Sequence, residues 1–146
     1  MADNMAVPKI LAAARVGDTL PPLVSEAITR TTLALYCGAS GDHNPIHVDL
    51  DFARRAGMDD VFAHGMLSTA YLARLLTGWA PQPWMRTLNV RFVAITHLGD
   101  IVHCSGRVVA VEAGADGVEV RVALSAANQD GQVKIQGEAV FAAPKI

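Results

Sequence analysis

Met66-Leu67-Ser68-Thr69-Ala70-Tyr71-Leu72-Ala73-Arg74-Leu75-Leu76-Thr77-Gly78-Trp79 carries a single charge, Arg74. Met66, Leu67, Ala70, Tyr71, Leu72, Leu75 and Leu76 recur at helical spacing and cover more than one face. A helix apolar nearly all round belongs inside a fold rather than on its surface. Gly78 is read as closing the helix, with Pro81 and Pro83 preventing its resumption.

Downstream the period changes. Leu88–Thr96, Ile101–Val111, Val118–Ala127 and Gln132–Ala142 read as strands. The clearest alternates Val118, Val120, Val122, Leu124 and Ala126 with Glu119, Arg121, Ala123 and Ser125. Gly99-Asp100, Gly114-Ala115-Asp116-Gly117 and Asp130-Gly131 supply turn chemistry, so the expectation is an antiparallel meander. Upstream, the chain is expected to be a loose tail over residues 1–9, then a helical turn over Ile10–Arg15. Leu23–Thr29 reads as an edge strand that follows Pro21-Pro22. A helix capped by Thr29 or Thr31 runs to about Tyr36 and ends at Gly38. A short helix over Asp51–Ala56 has Asp49 near its start and Gly57 at its end. One strand, a long buried helix and four antiparallel strands predict an α+β domain over residues 10–146, with a curved sheet of about five strands around that helix. Free sheet edges make a dimer the expected assembly.

The chain has 146 residues, is 51% hydrophobic and carries a net charge of -2. That composition fits one domain with a real core. The absence of a basic patch excludes nucleic acid as a partner. No apolar run approaches the roughly 18–20 residues that cross a bilayer. Residues 1–9 lack the pattern of a signal peptide, so the expected location is the cytoplasm. Cys37 and Cys104 are too few for a disulfide framework. Cys104 reads as a buried thiol.

Functional groups concentrate in Gly38-Ala39-Ser40-Gly41-Asp42-His43-Asn44-Pro45-Ile46-His47-Val48-Asp49. Pro45 restricts Asn44 and removes a donor, which makes this a fixed bend. Such a bend can turn the Asp42 carboxylate and the His47 imidazole toward one water and move its proton. Asn44 can orient either group through its amide. An equally weighted reading has Asp42 and Asn44 merely holding the turn by side-chain bonds, with His47 on the surface. A metal reading would use Asp42, His43, His47 and Asp49; Pro45 spoils the helical face that His-x-x-x-His needs, so no metal is assigned. A second hotspot, Ala63-His64-Gly65-Met66, opens the long helix. The unsatisfied N–H groups there can polarise a carbonyl, and Gly65 permits close approach. His64 is read as capping or packing, without a catalytic role. Arg91 is assigned to an acid at the dimer seam or to a ligand phosphate. His97 and His103 are assigned to solvent or structural roles, and Trp79 and Trp84 to covering the helix end.

Tyr36–His47, with its ordered Gly-Asp-x-Asn-Pro-x-His core, resembles the signature of the MaoC-like dehydratases, the (R)-specific enoyl-CoA hydratases. Ala63-His64-Gly65-Met66-Leu67 and Asn89-Val90-Arg91-Phe92 match two further landmarks of that family in the right order. The resemblance runs from about Val16 to Phe141 and is nearest to the small single-domain members, including the catalytic-subunit type of mycobacterial fatty-acid dehydratases. It implies a hot-dog fold and reversible hydration of a trans-2-enoyl thioester to the (R)-3-hydroxyacyl thioester. Asp42 and His47 would activate the water and the Gly65 N–H would hold the thioester oxygen. Asn44, Gly65 and Met66 would contact substrate. Ser68, Thr69, Ala70 and Ala73 would leave room for the acyl chain. No cofactor is implied beyond the coenzyme A or acyl carrier protein of the substrate. The competing expectations are a hot-dog thioesterase, and a subunit of a heteromer that needs a second MaoC-like chain.

Overall fold

The computed structural model describes residues 7–115 and 117–144. The expected tail falls largely on residues 1–6, which lie outside the described residues. Helix α1 (Lys9–Ala13) starts one residue before the expected turn and buries Leu11 completely. Strand β1 (Leu23–Ala27) follows, then α2 (Arg30–Ser40), a 3-10 turn (Pro45–His47), α3 (Leu50–Arg55) and α4 (Gly65–Trp79). After a 3-10 turn at Gln82–Trp84 come β2 (Met85–Phe92), β3 (Ile101–Gly114), β4 (Gly117–Ala127) and β5 (Val133–Pro144).

The five strands form one antiparallel sheet in the order β1-β3-β4-β5-β2. Helix α4 packs against all five strands. Its inward face is Leu67, Ser68, Thr69, Leu72, Leu75 and Leu76. This is the α+β hot-dog arrangement expected, a curved sheet around a central helix. The helix is not sheathed on every side, however. Met66, Arg74, Thr77 and Gly78 are exposed, because the sheet covers one side only. Gly78 does not end α4. The helix runs to Trp79, and Ala80 is extended just ahead of Pro81, the residue that forbids continuation. Trp84 is buried, and Trp79 meets Phe141 edge-on at 5.4 Å.

The alternation read in β4 holds: Val120, Val122, Leu124 and Ala126 are buried. In β3, Val102, Cys104 and Val108 are buried while His103, Ser105 and Arg107 face out. Burial pushes the Cys104 thiol up to about 11. Gly137 is required where β5 approaches β2, since a Cβ there would lie 2.5 Å from the Asn89 carbonyl oxygen.

Two further expectations fail for physical reasons. First, β2 stops at Phe92 and pairs with β5, not with β3, so only β3-β4-β5 is a meander. Val93–Asp100 crosses instead to the far side of the sheet. Strands lie about 4.8 Å apart, so three steps are roughly 14 Å, well within an extended reach of roughly 26 Å for that segment. Gly99-Asp100 therefore serves the arrival at β3, where Ile28 N–H donates to Asp100 O at 2.9 Å. Second, α2 does not end at Gly38. It continues to Ser40, and Gly41, at φ 74°, supplies the left-handed residue that closes it. Its start is as read, with a capping box between Thr29 and Thr32.

Candidate functional site

The loop after α2 is stitched by its own side chains. Asp42 N–H donates to Ser40 Oγ at 3.2 Å and Asn44 N–H to Asp42 Oδ1 at 3.2 Å. Ile46 N–H donates to Asn44 Oδ1 at 3.1 Å. Pro45 opens a single 3-10 turn, where its missing donor costs nothing. Asp49 caps α3 by accepting from Phe52 N–H at 3.0 Å. The turn-holding reading is thus realised for Asp42 and Asn44, but not for His47, which is 8% exposed.

His47 Nδ1 lies 2.7 Å from the Phe62 carbonyl oxygen. A carbonyl only accepts, so Nδ1 carries the hydrogen and Nε2 of the neutral ring is left as the base. The Phe62 ring packs edge-on to His47 at 5.0 Å. The Asp42 carboxylate stays exposed at the loop's surface.

His64 changes the picture drawn from sequence. It is 1% exposed, and its ring stacks on His47 at 3.8 Å with 28° between planes. Its Nε2 donates to the Asp42 carbonyl oxygen at 3.2 Å, and Nδ1 is buried without a partner. Burial holds the His64 imidazole below the ordinary histidine range. Tyr36 meets His64 edge-on at 4.9 Å; burial first, and the Asp42 charge second, raise its phenol. The motif Ala63-His64-Gly65 marked this residue, but nothing local says that its ring turns inward onto His47.

These groups border a cavity of about 470 Å³. Asp42, His47 and His64 supply its polar groups, beside Gly65 and Met66. Phe92, Val93, Ala94, Ile95 and Ile135 supply its apolar lining. Gly65 is the first residue of α4, where the N–H groups lack intrahelical acceptors. The Phe92 ring lies against it, only 2.7 Å from where a Cβ would stand. Another hollow, of about 520 Å³, sits at the remote end of the sheet around Arg86 and Glu119 and is lined by no histidine or cysteine.

Other expected participants fall elsewhere. Asn44 does not line the cavity, and its amide oxygen is committed to Ile46. Ser68, Thr69, Ala70 and Ala73 do not line it either; Ser68 and Thr69 are buried, with Ser68 Oγ 3.4 Å from Thr96 Oγ1. The room for a ligand lies against the Val93–Ile95 segment instead. His43 is exposed, and Arg91 donates to Gln136 Oε1 at 3.1 Å rather than to an acid. A metal ion could find one ligand atom each from Asp42, His47 and His64, all within 4.8 Å of one another. His43 and Asp49 do not belong to that group.

Comparison with known proteins gives a consistent result. The family described as MaoC like domain matches residues 12–129. An (R)-specific enoyl-CoA hydratase of Rhodospirillum rubrum is 30% identical over 123 residues, 83% of each chain. The unliganded R-hydratase PhaJ1 of Pseudomonas aeruginosa superposes with a TM-score of 0.78 at 29% identity, over 93% of this chain and 86% of that one. A chain of the ChsH1-ChsH2 complex of Mycobacterium tuberculosis gives 0.76 at 25% identity, over 88% and 97%.

Proposed function

The chain belongs to the MaoC-like dehydratase family, and from that premise we propose that it is a hydro-lyase acting reversibly on a trans-2-enoyl thioester. The product is the (R)-3-hydroxyacyl thioester. The observation that carries this reading is the meeting of Asp42, His47 and the Gly65 end of α4 on one side of an apolar-walled cavity.

In the forward direction a water sits between the Asp42 carboxylate and His47 Nε2. As its oxygen bonds to the β-carbon, the dyad takes a proton from it. Electron density moves through the double bond to the thioester oxygen, which the Gly65 N–H stabilises. The dyad then returns a proton to the α-carbon, so the net change is the addition of one water. The thioester makes the α-position acidic enough that no metal or redox cofactor is needed. Asn44 supports the dyad through the turn that it closes.

Relatives carry both kinds of acyl handle: the Rhodospirillum rubrum protein is named for CoA, and a mitochondrial Arabidopsis thaliana dehydratase, 25% identical over 133 residues, for acyl carrier protein. Coenzyme A is the handle in this reading, with acyl carrier protein as its alternative. Met66, Phe92, Val93 and Ile95 are exposed around the cavity mouth, an apolar rim that a second copy would cover; a different MaoC-like chain is the alternative partner. No described helix is long and apolar enough to cross a membrane, and we place the reaction in the cytoplasm.

The test is a panel of enoyl-CoA substrates of increasing chain length, with product configuration determined. Loss of the conjugated thioester and formation of the (R)-alcohol are expected. Release of free thiol from a saturated acyl-CoA would replace this reading with a thioesterase. Inactivity that is relieved only by adding a second MaoC-like chain would make the protein a heteromer subunit.

A further inference from the structure

Lys134 is 1% exposed, yet it lies in a strand whose alternation puts it on the opposite face from Ile135, Gly137 and Ala139. Its Nζ donates to Ile95 O at 2.7 Å and Gln132 Oε1 at 2.8 Å, and pairs with Asp100 Oδ2 at 3.2 Å. All three ammonium hydrogens are thereby used. Asp100 is equally committed: its Oδ1 accepts from Asn128 Nδ2 at 3.1 Å and its Oδ2 from His97 N–H at 2.9 Å. The backbone of the same lysine is engaged as well, since Val93 N–H and Ala94 N–H both donate to Lys134 O, at 2.8 and 3.2 Å.

All of these bonds except the one to Gln132 end on the crossover Val93–Asp100, which lies outside every named strand. Val93, Ala94 and Ile95 are part of the apolar lining of the cavity that Asp42 and His47 also line. On the other flank Ala63 N–H donates to Thr96 O at 2.9 Å, which ties the wall to the residue before His64. A segment without a strand ladder would ordinarily move, and a buried ion pair is a costly way to gain stability alone. Here the pair is placed where it sets the position of a wall.

We propose that Lys134 and Asp100 form a buried latch that fixes the Val93–Ile95 wall and so determines which acyl chains the cavity accepts. The latch rests on the hydratase reading only for the identity of the ligand. Lys134 and Asp100 are positioning residues: neither lines the cavity.

The experiment compares wild type with the charge-neutral pair Asp100→Asn/Lys134→Met. The readout is the ratio of kcat/KM for crotonyl-CoA to that for trans-2-octenoyl-CoA, a ratio that does not depend on the folded fraction. A shift of about fivefold or more is expected, within the range that pocket walls impose on chain length. A ratio unchanged within about twofold overturns the latch. Should the double variant not fold, Gln132→Ala removes one Nζ acceptor from an exposed side chain. It is expected to shift the ratio in the same direction and to speed amide exchange over Val93–His97. Exchange is read whether or not the protein hydrates anything. Unchanged exchange in both variants overturns the latch, whereas wild-type inactivity on every enoyl thioester overturns the hydratase reading alone.

Discussion

Two clusters of ionisable side chains lie on either side of the same wall, and they differ in how far their hydrogen-bonding capacity is used. Around Lys134 and Asp100 every side-chain donor and acceptor of the pair is engaged by protein, and the pair is nearly dry. Around His47 the Asp42 carboxylate is open to solvent, and His64 Nδ1 has no partner. A saturated cluster can only hold something in place. One with capacity left over can bind and transform a ligand, because the missing partner is supplied by water or substrate. The contrast separates support from chemistry better than charge does, since both clusters contain an acid and a base.

The strongest challenge to this contrast is to remove the groups with spare capacity. Asp42→Asn and His47→Gln should each lower hydration about a thousandfold, with Tm moved by no more than about 4 °C, because neither side chain holds the core together. Activity assays paired with thermal melts would show this; near wild-type activity in both folded variants removes the dyad.

The converse prediction concerns the saturated pair. Lys134→Met alone leaves the Asp100 carboxylate buried and unpaired, and should cost about 3–5 kcal/mol in urea unfolding. Adding Asp100→Asn should recover most of that loss. Burial pushes the Asp100 carboxyl up, but the bonds from His97 N–H and Asn128 and the Lys134 ammonium outweigh it and hold it below the ordinary range. A lowered folded pKa means that the pair's stability is fully present above about pH 4 and fades as pH falls through the folded value. The wild-type urea midpoint should therefore drop more steeply as pH falls below about 4 than that of the neutral double variant.

A smaller effect tests His64, which belongs to the Asp42–His47 cluster by position yet touches it through the Asp42 backbone and the His47 ring. His64→Phe keeps a flat ring against His47 and loses the donor to Asp42 O. A fall in kcat of about tenfold with KM little changed is expected, since sub-ångström misplacement of a catalytic group costs that much. Steady-state kinetics of the folded variant would decide it.

Much of this was legible beforehand because it is local. The α4 segment, the alternation of β4, the Thr29 cap and the Asp42–His47 bend each depend on residues within a few positions of one another. The helix ends were less legible. Gly38 and Gly78 look like stops, but a glycine ends a helix only where the backbone must turn left-handed, as at Gly41, or where proline follows. The apolar residues of Val93–Ile95 suit a strand end as well as a wall, so periodicity alone places them in the strand. Ser68 and Thr69, where room for a chain is expected, are buried instead in the packing of α4.

By itself the sequence determined the α+β class, the central helix, the strand alternation and the loop that carries Asp42 and His47. Periodicity and turn chemistry are written in neighbouring residues, so they survive without knowledge of what packs on what. Tertiary structure alone decided that β2 sits beside β5, that His64 stacks on a ring from the preceding loop, and that Lys134 is buried under a crossover 39 residues upstream. Those outcomes are settled by competition among distant contacts for the same space, and short windows of sequence hold no record of that competition.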